Sequence, residues 1–249
     1  MQPLCTGSRV AEGAGIITPN ALAAVLFDMD GTLVETEQYW GEGLFALARE
    51  LGGSMSAAAR ERTVGTSMLI AMEILYAELG TTRTDAELER DVRWVEDRTA
   101  ALMAAGGIEW RPGARELLVA VRDAGVPTAL VTTTPRRLAA LVLQRITDDL
   151  GGDPFGTTVC GDEAPARKPD PAPYLQAMTT LDVEPAGCLV IEDSRVGVAA
   201  GLAAGAGVLG VPSLQPLEPR DGLTVRSSLT GLTPAHLTEL LAQRAGAGA

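Results

Sequence analysis

Short apolar runs alternate with longer amphipathic stretches over most of the chain. The runs predict strands at 23–27, 127–132, 157–160, 188–191 and 208–211. Between them, apolar positions at helical spacing predict helices at 114–124, 136–145, 171–181 and 195–204. Strands that are apolar throughout and alternate with helices form parallel sheets that are covered on both faces. We therefore expect an α/β protein with a parallel sheet and helices on both faces.

One long segment carries the helical pattern alone. Apolar positions recur at helical spacing at 35–51, 57–64, 68–79 and 85–104, and no strand pattern interrupts them. Thr84 and Glu87 predict a capping box at the start of the last of these helices. We therefore predict an all-helical insertion over 35–107, called the helical insertion below, between the two parts of an α/β core at 21–34 and 108–249. The helical insertion either covers a site on the core or only packs against it.

The two ends of the chain lack the alternating pattern. Residues 1–20 contain no continuous apolar run, so we expect no secretory signal and either a flexible N-terminal extension or sequence upstream of the true start. Thr233 and Pro234 predict the N-cap and first residue of a terminal helix that extends to Gln243. The uncharged run at 196–211 is too short and too rich in glycine to cross a bilayer, so we expect no membrane segment.

Composition narrows the classes of partner. The chain has 249 residues, 46% of them hydrophobic, and a net charge of -12. Because an acidic field of this size repels polyanions, we expect no nucleic-acid partner. Three cysteines, Cys5, Cys160 and Cys188, are too few for a disulfide framework and favour a reducing compartment. We expect a cytoplasmic monomer in which Cys160 and Cys188 are small buried hydrophobic residues.

Two carboxylates follow the first predicted strand. Asp28 and Asp30 lie at its carboxyl end, which is the edge where open α/β sheets bind ligands. Asp28 is suited to attack a phosphoryl group and form an aspartyl phosphate. Asp30 is suited to protonate the leaving oxygen and then to activate water. Gly31 permits a sharp turn and Thr32 can hydrogen-bond within it, although a solvated turn rich in Asp and Gly would have the same composition.

The segment Asp28-Met29-Asp30-Gly31-Thr32 resembles the first motif of the haloacid dehalogenase (HAD) superfamily. The resemblance covers roughly residues 22–212 and is strongest in the α/β core. It implies a Rossmann-like sheet, and it matches the helical insertion to the cap that some members carry after this motif. A hinged cap would exclude water from the site and would carry substrate specificity.

Two later segments match further motifs of this family. The strand that ends at Thr132 resembles the second motif, in which the hydroxyl would hydrogen-bond a phosphate oxygen. The segment around Lys168 resembles the third, in which the ammonium would neutralise the nucleophile and the phosphoryl oxygens. Taken alone, a threonine at a strand end and a lysine in a proline-rich turn are both ordinary features.

The fourth motif supplies the metal site that the resemblance implies. Glu192 and Asp193 end an apolar strand. Asp193, Asp28 and the main-chain carbonyl of Asp30 would hold an octahedral Mg2+. Glu192 would be either an additional ligand or a support for the ligands, and the sequence leaves this choice open.

The second acid of the first motif separates the reactions known in this family. Dehalogenases and phosphonatases of this kind lack it, so Asp30 favours phosphate esters. Mutases similar to β-phosphoglucomutase carry a Lys-Gly-x-Ser-Arg segment that grips a second phosphate, whereas Val64 and Met68 occupy the Lys and Arg positions here. We therefore predict a Mg2+-dependent phosphatase. The alternatives are a phosphomutase and, ranked last, a non-catalytic binding protein.

The expected substrate is a small phosphorylated metabolite, a sugar or polyol phosphate. Hydroxyl side chains in the helical insertion would suit an uncharged, hydroxyl-bearing leaving group. The predicted substrate contacts are Met29, Thr66, Ser67 and Thr133. Tyr39 and Trp40 are assigned to packing of the helical insertion, with lining of the pocket as the alternative.

Overall fold

Six parallel strands form one sheet in the computed structural model, which describes residues 22–247. The strands are β1 (Ala24–Phe27), β2 (Thr128–Val131), β3 (Thr157–Val159), β4 (Cys188–Glu192), β5 (Gly207–Gly210) and β6 (Leu223–Val225). Their order is β3-β2-β1-β4-β5-β6, and all neighbours are parallel. Because the strand order reverses beside β1, the carboxyl end of β1 faces the crevice where such sheets bind ligands.

Helices cover both faces of this sheet, as predicted. The helices are α1 (Glu37–Glu50), α2 (Ala57–Thr63), α3 (Met68–Leu79), α4 (Asp85–Gly106), α5 (Ala114–Asp123), α6 (Arg136–Leu150), α7 (Ala172–Thr180), α8 (Arg195–Ala203) and α9 (Pro234–Ala247). Val25 and Phe27 of β1 pack in one buried cluster with α5, α6 and α9. Ala24 and Leu26 pack in a second cluster with α7 and α8. The alternation along β1 therefore places one hydrophobic layer on each face.

The helical insertion contains α1 to α4 and has a buried cluster of its own. Leu44, Met72 and Val95 belong to this cluster, and they come from three different helices. Leu138 of α6 joins them, so the helices rest against the α/β core. The predicted capping box at Thr84 is present at the start of α4. That this segment works as a separate domain over the site stays a prediction.

The structure departs from the predicted elements mainly at β6 and α6. β6 is a three-residue edge strand in which only Leu223 is buried, so its pattern is too short to be predicted. α6 continues past the predicted end at Arg145, because Ile146 and Leu150 extend its apolar face. It ends at Gly151, whose φ of 70° is a left-handed helix terminator.

Other predictions concern the ends of the chain and its cysteines. The predicted extension at 1–20, with Cys5, lies outside the described residues. Cys160 and Cys188 are buried as predicted. The terminal helix begins at Pro234 as predicted and continues to Ala247. Within the described part of the chain, no helix combines the length and the apolar character needed to cross a membrane.

Candidate active site

The ends of three neighbouring strands bring predicted site residues to one edge of the sheet. Phe27, the last residue of β1, pairs with Leu130 of β2 and with Ile191 of β4. The residues within two positions of these pairs include Asp28, Thr132, Glu192 and Asp193. Each of the three acids places one carboxylate oxygen within 4.8 Å of the others. The strand register therefore gathers acids that lie far apart in the sequence.

Lys168 lies inside this cluster of acids and is only 2% exposed. Its Nζ donates to Asp28 Oδ1 at 2.7 Å, to Glu192 Oε1 at 2.7 Å and to the carbonyl of Val131 at 2.8 Å. The ring of Tyr174 lies 4.8 Å from the same nitrogen. Burial alone would lower the pKa of Lys168, but the two carboxylates raise it above its usual range. Lys168 is therefore a fixed cation with all three ammonium donors in use.

Both carboxylate oxygens of the fully buried Glu192 are already hydrogen-bonded. Oε1 accepts from Lys168 and, at 2.9 Å, from the hydroxyl of Tyr174. Oε2 accepts from the main-chain N–H groups of Asp193 and Ser194 at 3.1 and 3.2 Å, and from the Ser194 hydroxyl at 3.1 Å. Although Glu192 lies near the other acids, it has little capacity left for a cation. We therefore assign it to positioning Lys168 and the start of α8.

Asp193 offers an oxygen that nothing in the described part of the chain satisfies. Its Oδ2 is buried without a hydrogen-bond partner, while Oδ1 accepts weakly from the Thr32 hydroxyl at 3.4 Å. Burial, followed by the charges of Asp28 and Glu192, raises the pKa of Asp193 well above its usual range. Burial and Glu192 also raise the pKa of Asp28 to about 8, against the opposing effect of Lys168. Buried carboxylates with this repulsion suit a divalent cation, and oxygen donors fit a hard one.

The turn after β1 depends on Gly31. Its φ of 81° lies in the left-handed region that favours glycine. A β-carbon at this position would overlap the carboxylate of Asp193. The Gly31 N–H donates to the carbonyl of Val34 at 2.8 Å and closes the turn. The turn can therefore pass directly beside Asp193.

Asp30 is held from two sides. Its Oδ2 accepts from the hydroxyls of Thr134 at 2.7 Å and Thr132 at 3.3 Å, both of which follow β2. Its Oδ1 accepts from the hydroxyl of Thr36 at 2.5 Å and from the indole N–H of Trp40 at 3.3 Å, at the start of the helical insertion. Asp30 therefore links the α/β core to the helical insertion. Since the Thr132 hydroxyl is directed to Asp30 here, its bond to a phosphate stays a prediction.

A pocket opens between this edge of the sheet and the helical insertion. Two of the predicted substrate contacts, Thr66 and Thr133, line it together with Asp28. The structure does not bring the other two to the pocket. The Ser67 hydroxyl caps α3 by accepting from the N–H of Ile70, and the side chain of Met29 lies in the core. Their predicted contacts with a substrate are therefore not supported by the position of these side chains.

Two charged residues of the helical insertion also line the pocket, and the sequence did not single them out. Arg60 Nη2 donates to Glu37 Oε2 at 2.6 Å and to the Glu37 carbonyl at 2.8 Å, while Nη1 donates to Thr63 Oγ1 at 2.7 Å. Burial raises the pKa of Glu37, and Arg60 opposes this shift. Nothing in a helical pattern distinguishes such charges from those that face solvent. Trp40 also lines the pocket, in addition to packing in the helical insertion.

The helical insertion touches the α/β core closely at Gly65. This residue has a φ of 71°, and a β-carbon here would overlap the side chain of Ser194. Nearby, the side-chain amide of Gln215 donates to the carbonyl of Glu61 at 2.8 Å. These contacts fix the distance between the two walls of the pocket.

Comparisons with known proteins agree with this geometry. A family model described as haloacid dehalogenase-like hydrolase matches residues 22–205. Protein CbbY of Rhodobacter capsulatus is 32% identical over 210 residues, which cover 77% of this chain and 86% of that protein. Hexitol phosphatase B of Escherichia coli K12 is 29% identical, over 88% of this chain and 98% of its own. The structure of β-phosphoglucomutase from Clostridium difficile shares the fold, with a TM-score of 0.78 at 20% identity over 90% of this chain and 99% of that chain.

Proposed function

Because the chain belongs to the haloacid dehalogenase-like hydrolases, we propose that it hydrolyses a phosphate monoester through an aspartyl phosphate on Asp28. The observation that carries the proposal is the buried contact of 2.7 Å between Asp28 and Lys168 inside a cluster of acids. A nucleophile held beside a fixed cation, at the ligand-binding edge of the sheet, suits phosphoryl transfer. The match to the family model confirms the family that the sequence predicted. The phosphatases among the relatives agree with the predicted activity.

The proposed reaction has two steps. In the first, a carboxylate oxygen of Asp28 forms a bond to phosphorus, the bond from phosphorus to the ester oxygen breaks, and Asp30 donates a proton to that oxygen. In the second, Asp30 takes a proton from water, the water oxygen forms a bond to phosphorus, and the bond from phosphorus to Asp28 breaks, which releases inorganic phosphate and regenerates the Asp28 carboxylate. Lys168 fixes the orientation of Asp28 and offsets negative charge throughout. The hydroxyls of Thr132 and Thr134 orient Asp30.

We propose Mg2+ as the cation that the acids hold, with Asp28, Asp193 and the main-chain carbonyl of Asp30 as its ligands. The unpartnered Asp193 Oδ2 supports this assignment. A carboxylate and a phosphate oxygen at about 4 Å repel by roughly 4 kcal/mol per pair of unit charges at an effective dielectric near 20. When bound, Mg2+ supplies positive charge that, with Lys168, reverses the sign of this interaction.

We also propose that the helical insertion acts as a cap over the pocket. It contributes one wall of the pocket, and its first residues, Thr36 and Trp40, bond the Asp30 carboxylate. A closed cap would keep bulk water from the aspartyl phosphate until the leaving group departs.

The leaving group that we propose is a small sugar or polyol. The name of hexitol phosphatase B supports a polyol phosphate, and the hydroxyl of Thr66 lies at the pocket. A phosphomutase is the second candidate, favoured by the shared fold with β-phosphoglucomutase. Two observations count against a phosphomutase. Val64, at the Lys position of the mutase motif, is buried. Met68, at the Arg position, is apolar and lines the pocket.

A screen of phosphate monoesters with the purified full chain tests the proposal. We expect inorganic phosphate to be released from hexitol and hexose phosphates with Mg2+, and release to stop with EDTA and return when Mg2+ is added. Product analysis on a hexose 1-phosphate with its bisphosphate separates the alternatives. Isomerised product without free phosphate would identify a mutase, and no turnover of any ester would identify a non-catalytic protein.

A further inference from the structure

The residues that line the pocket all belong to the described part of the chain. Only two of them have cationic side chains. Lys168 lies beside the nucleophile on the α/β core, and Arg60 lies on α2 in the opposite wall. A phosphate ester that places its phosphorus at Asp28 extends its leaving group toward the helical insertion. Arg60 is therefore the cation that a second anionic group on the substrate would meet.

Arg60 is already neutralised where it lies. Arg60 and Glu37 are each only 8% exposed, and their side chains approach to 2.6 Å. The guanidinium also donates to the Glu37 carbonyl and to Thr63. Gly41 of α1 makes room for it, because a β-carbon there would lie 2.8 Å from Arg60 Nε. An anion that drew Arg60 away would leave a buried Glu37 carboxylate without its partner, which is costly.

The same wall suits hydroxyl groups. The Thr63 hydroxyl donates to the Arg60 carbonyl at 2.7 Å, and the Thr66 hydroxyl donates to the Thr63 carbonyl at 2.8 Å. Both protons are committed to the main chain, and Thr63 Oγ1 also accepts from Arg60, so the Thr66 hydroxyl oxygen is the one that faces a ligand as an acceptor. This acceptor favours a leaving group that donates hydrogen bonds.

We infer that the buried pair of Glu37 and Arg60 determines substrate charge, selecting monoesters whose leaving group is an uncharged polyol over esters that carry a second anion. This inference rests on the proposed phosphatase function and specifies the substrate class of that site. Glu37 and Arg60 are specificity residues in this account. The chemistry belongs to the acids and Lys168 at the opposite wall.

Sorbitol 6-phosphate and 6-phosphogluconate test this selection, because they differ only at the carbon farthest from the phosphate. We expect the wild-type chain to favour sorbitol 6-phosphate in kcat/KM by about tenfold or more, since binding a second anion would unpair buried charge. Each compound is also measured as a competitive inhibitor of p-nitrophenyl phosphate hydrolysis, which compares the binding of the two compounds where turnover is slow. Equal or reversed preference in the wild-type chain would overturn the inference.

Substitutions at the pair locate the effect. Glu37→Gln keeps a hydrogen-bonding side chain but leaves Arg60 unneutralised, so we expect the preference to shift toward 6-phosphogluconate by about tenfold. Combining Glu37→Gln with Arg60→Gln restores zero net charge and should return the ratio toward that of the wild type. Glu42→Gln makes the same chemical change at an exposed position of α1 and is the matched control.

Three outcomes are distinguishable. A folded Glu37→Gln variant with an unchanged ratio would overturn the inference and leave the phosphatase proposal intact. If the variants do not fold, as judged by thermal unfolding, the wild-type ratio alone decides. No phosphate release from any ester by the wild-type chain would overturn the proposed function, and this inference with it.

Discussion

The two walls of the pocket handle charge in opposite ways. On the α/β core, Asp28, Glu192 and Asp193 crowd around one cation, Lys168, and leave an Asp193 oxygen without a partner. On the helical insertion, one buried acid meets one buried base at 2.6 Å and their charges cancel. The first wall has excess negative charge that a bound cation would offset. The second wall is neutral, so in the function that we propose, chemistry and substrate selection lie on separate elements.

The largest expected effect is the loss of the nucleophile. Asp28→Asn keeps the size of the side chain but removes the attacking carboxylate, so we expect kcat/KM for phosphate release to fall by about ten-thousand-fold. Asp123→Asn, at an exposed end of α5, makes the same change away from the site and should retain activity. A variant at Asp28 with activity close to that of the wild type would place the chemistry elsewhere.

The next largest effect concerns the acid that bridges the two walls. Asp30→Asn should lower kcat for an alkyl phosphate such as sorbitol 6-phosphate by about a hundredfold or more, because its alkoxide needs a proton to leave. p-Nitrophenolate leaves without that proton, so the substitution should slow the first step less with p-nitrophenyl phosphate. Steady-state kinetics on both esters measure the difference. Equal losses would argue against proton donation by Asp30.

The excess negative charge on the α/β core wall of the pocket should lower the stability of the folded chain when no metal is bound. Burial and neighbouring acids raise the pKa of Asp193 above its value in the unfolded chain, so the folded state loses stability relative to the unfolded one as the pH rises past the ordinary pKa of an aspartate, and this loss is present at neutral pH. Asp193→Asn should therefore raise the melting temperature without metal by about 2–4 °C, equivalent to about 1 kcal/mol. The wild-type chain should gain stability with Mg2+ and the variant should not. A full Mg2+ response in the variant, measured by calorimetry, would contradict this ligand assignment.

The smallest expected effect concerns a contact between the α/β core and the helical insertion that lies away from the pocket. Arg137 of α6 contacts Glu96 and Asp97 of α4 at 2.8 and 2.7 Å, but its side chain is 49% exposed. Arg137→Gln should lower the free energy of unfolding by at most about 1 kcal/mol and leave kcat/KM unchanged. Chemical denaturation and the phosphate-release assay measure both. A large loss of activity would mean that distant contacts, not the pocket walls, control the site.

The sequence predicted the pocket wall on the α/β core far better than the neutral wall on the helical insertion. Asp28 and Asp193 directly follow β1 and β4, and parallel pairing brings strand ends together whatever the intervening chain does. The fold was predictable for a related reason, because strands buried on both faces are apolar at every position. Short elements such as β6, with one buried residue, carry no such pattern.

Pairing between helices leaves no comparable trace in a sequence. Glu37 and Arg60 meet because the tertiary structure brings these two positions of α1 and α2 together, and Gly41 provides the space. The role of Glu192 was open for a similar reason. Its hydrogen bonds to Tyr174 and Lys168 depend on where α7 and the preceding turn lie in space.

The close approach at Gly65 has a bearing on substrate size. Where this residue rests on Ser194, only a hydrogen atom separates one wall from the other. Any larger side chain would act as a wedge and widen the opening, so longer esters could enter while stray solvent could also reach the acyl phosphate. In the function that we propose, the exclusion of larger substrates and the protection of the intermediate would therefore both depend on this one spacing.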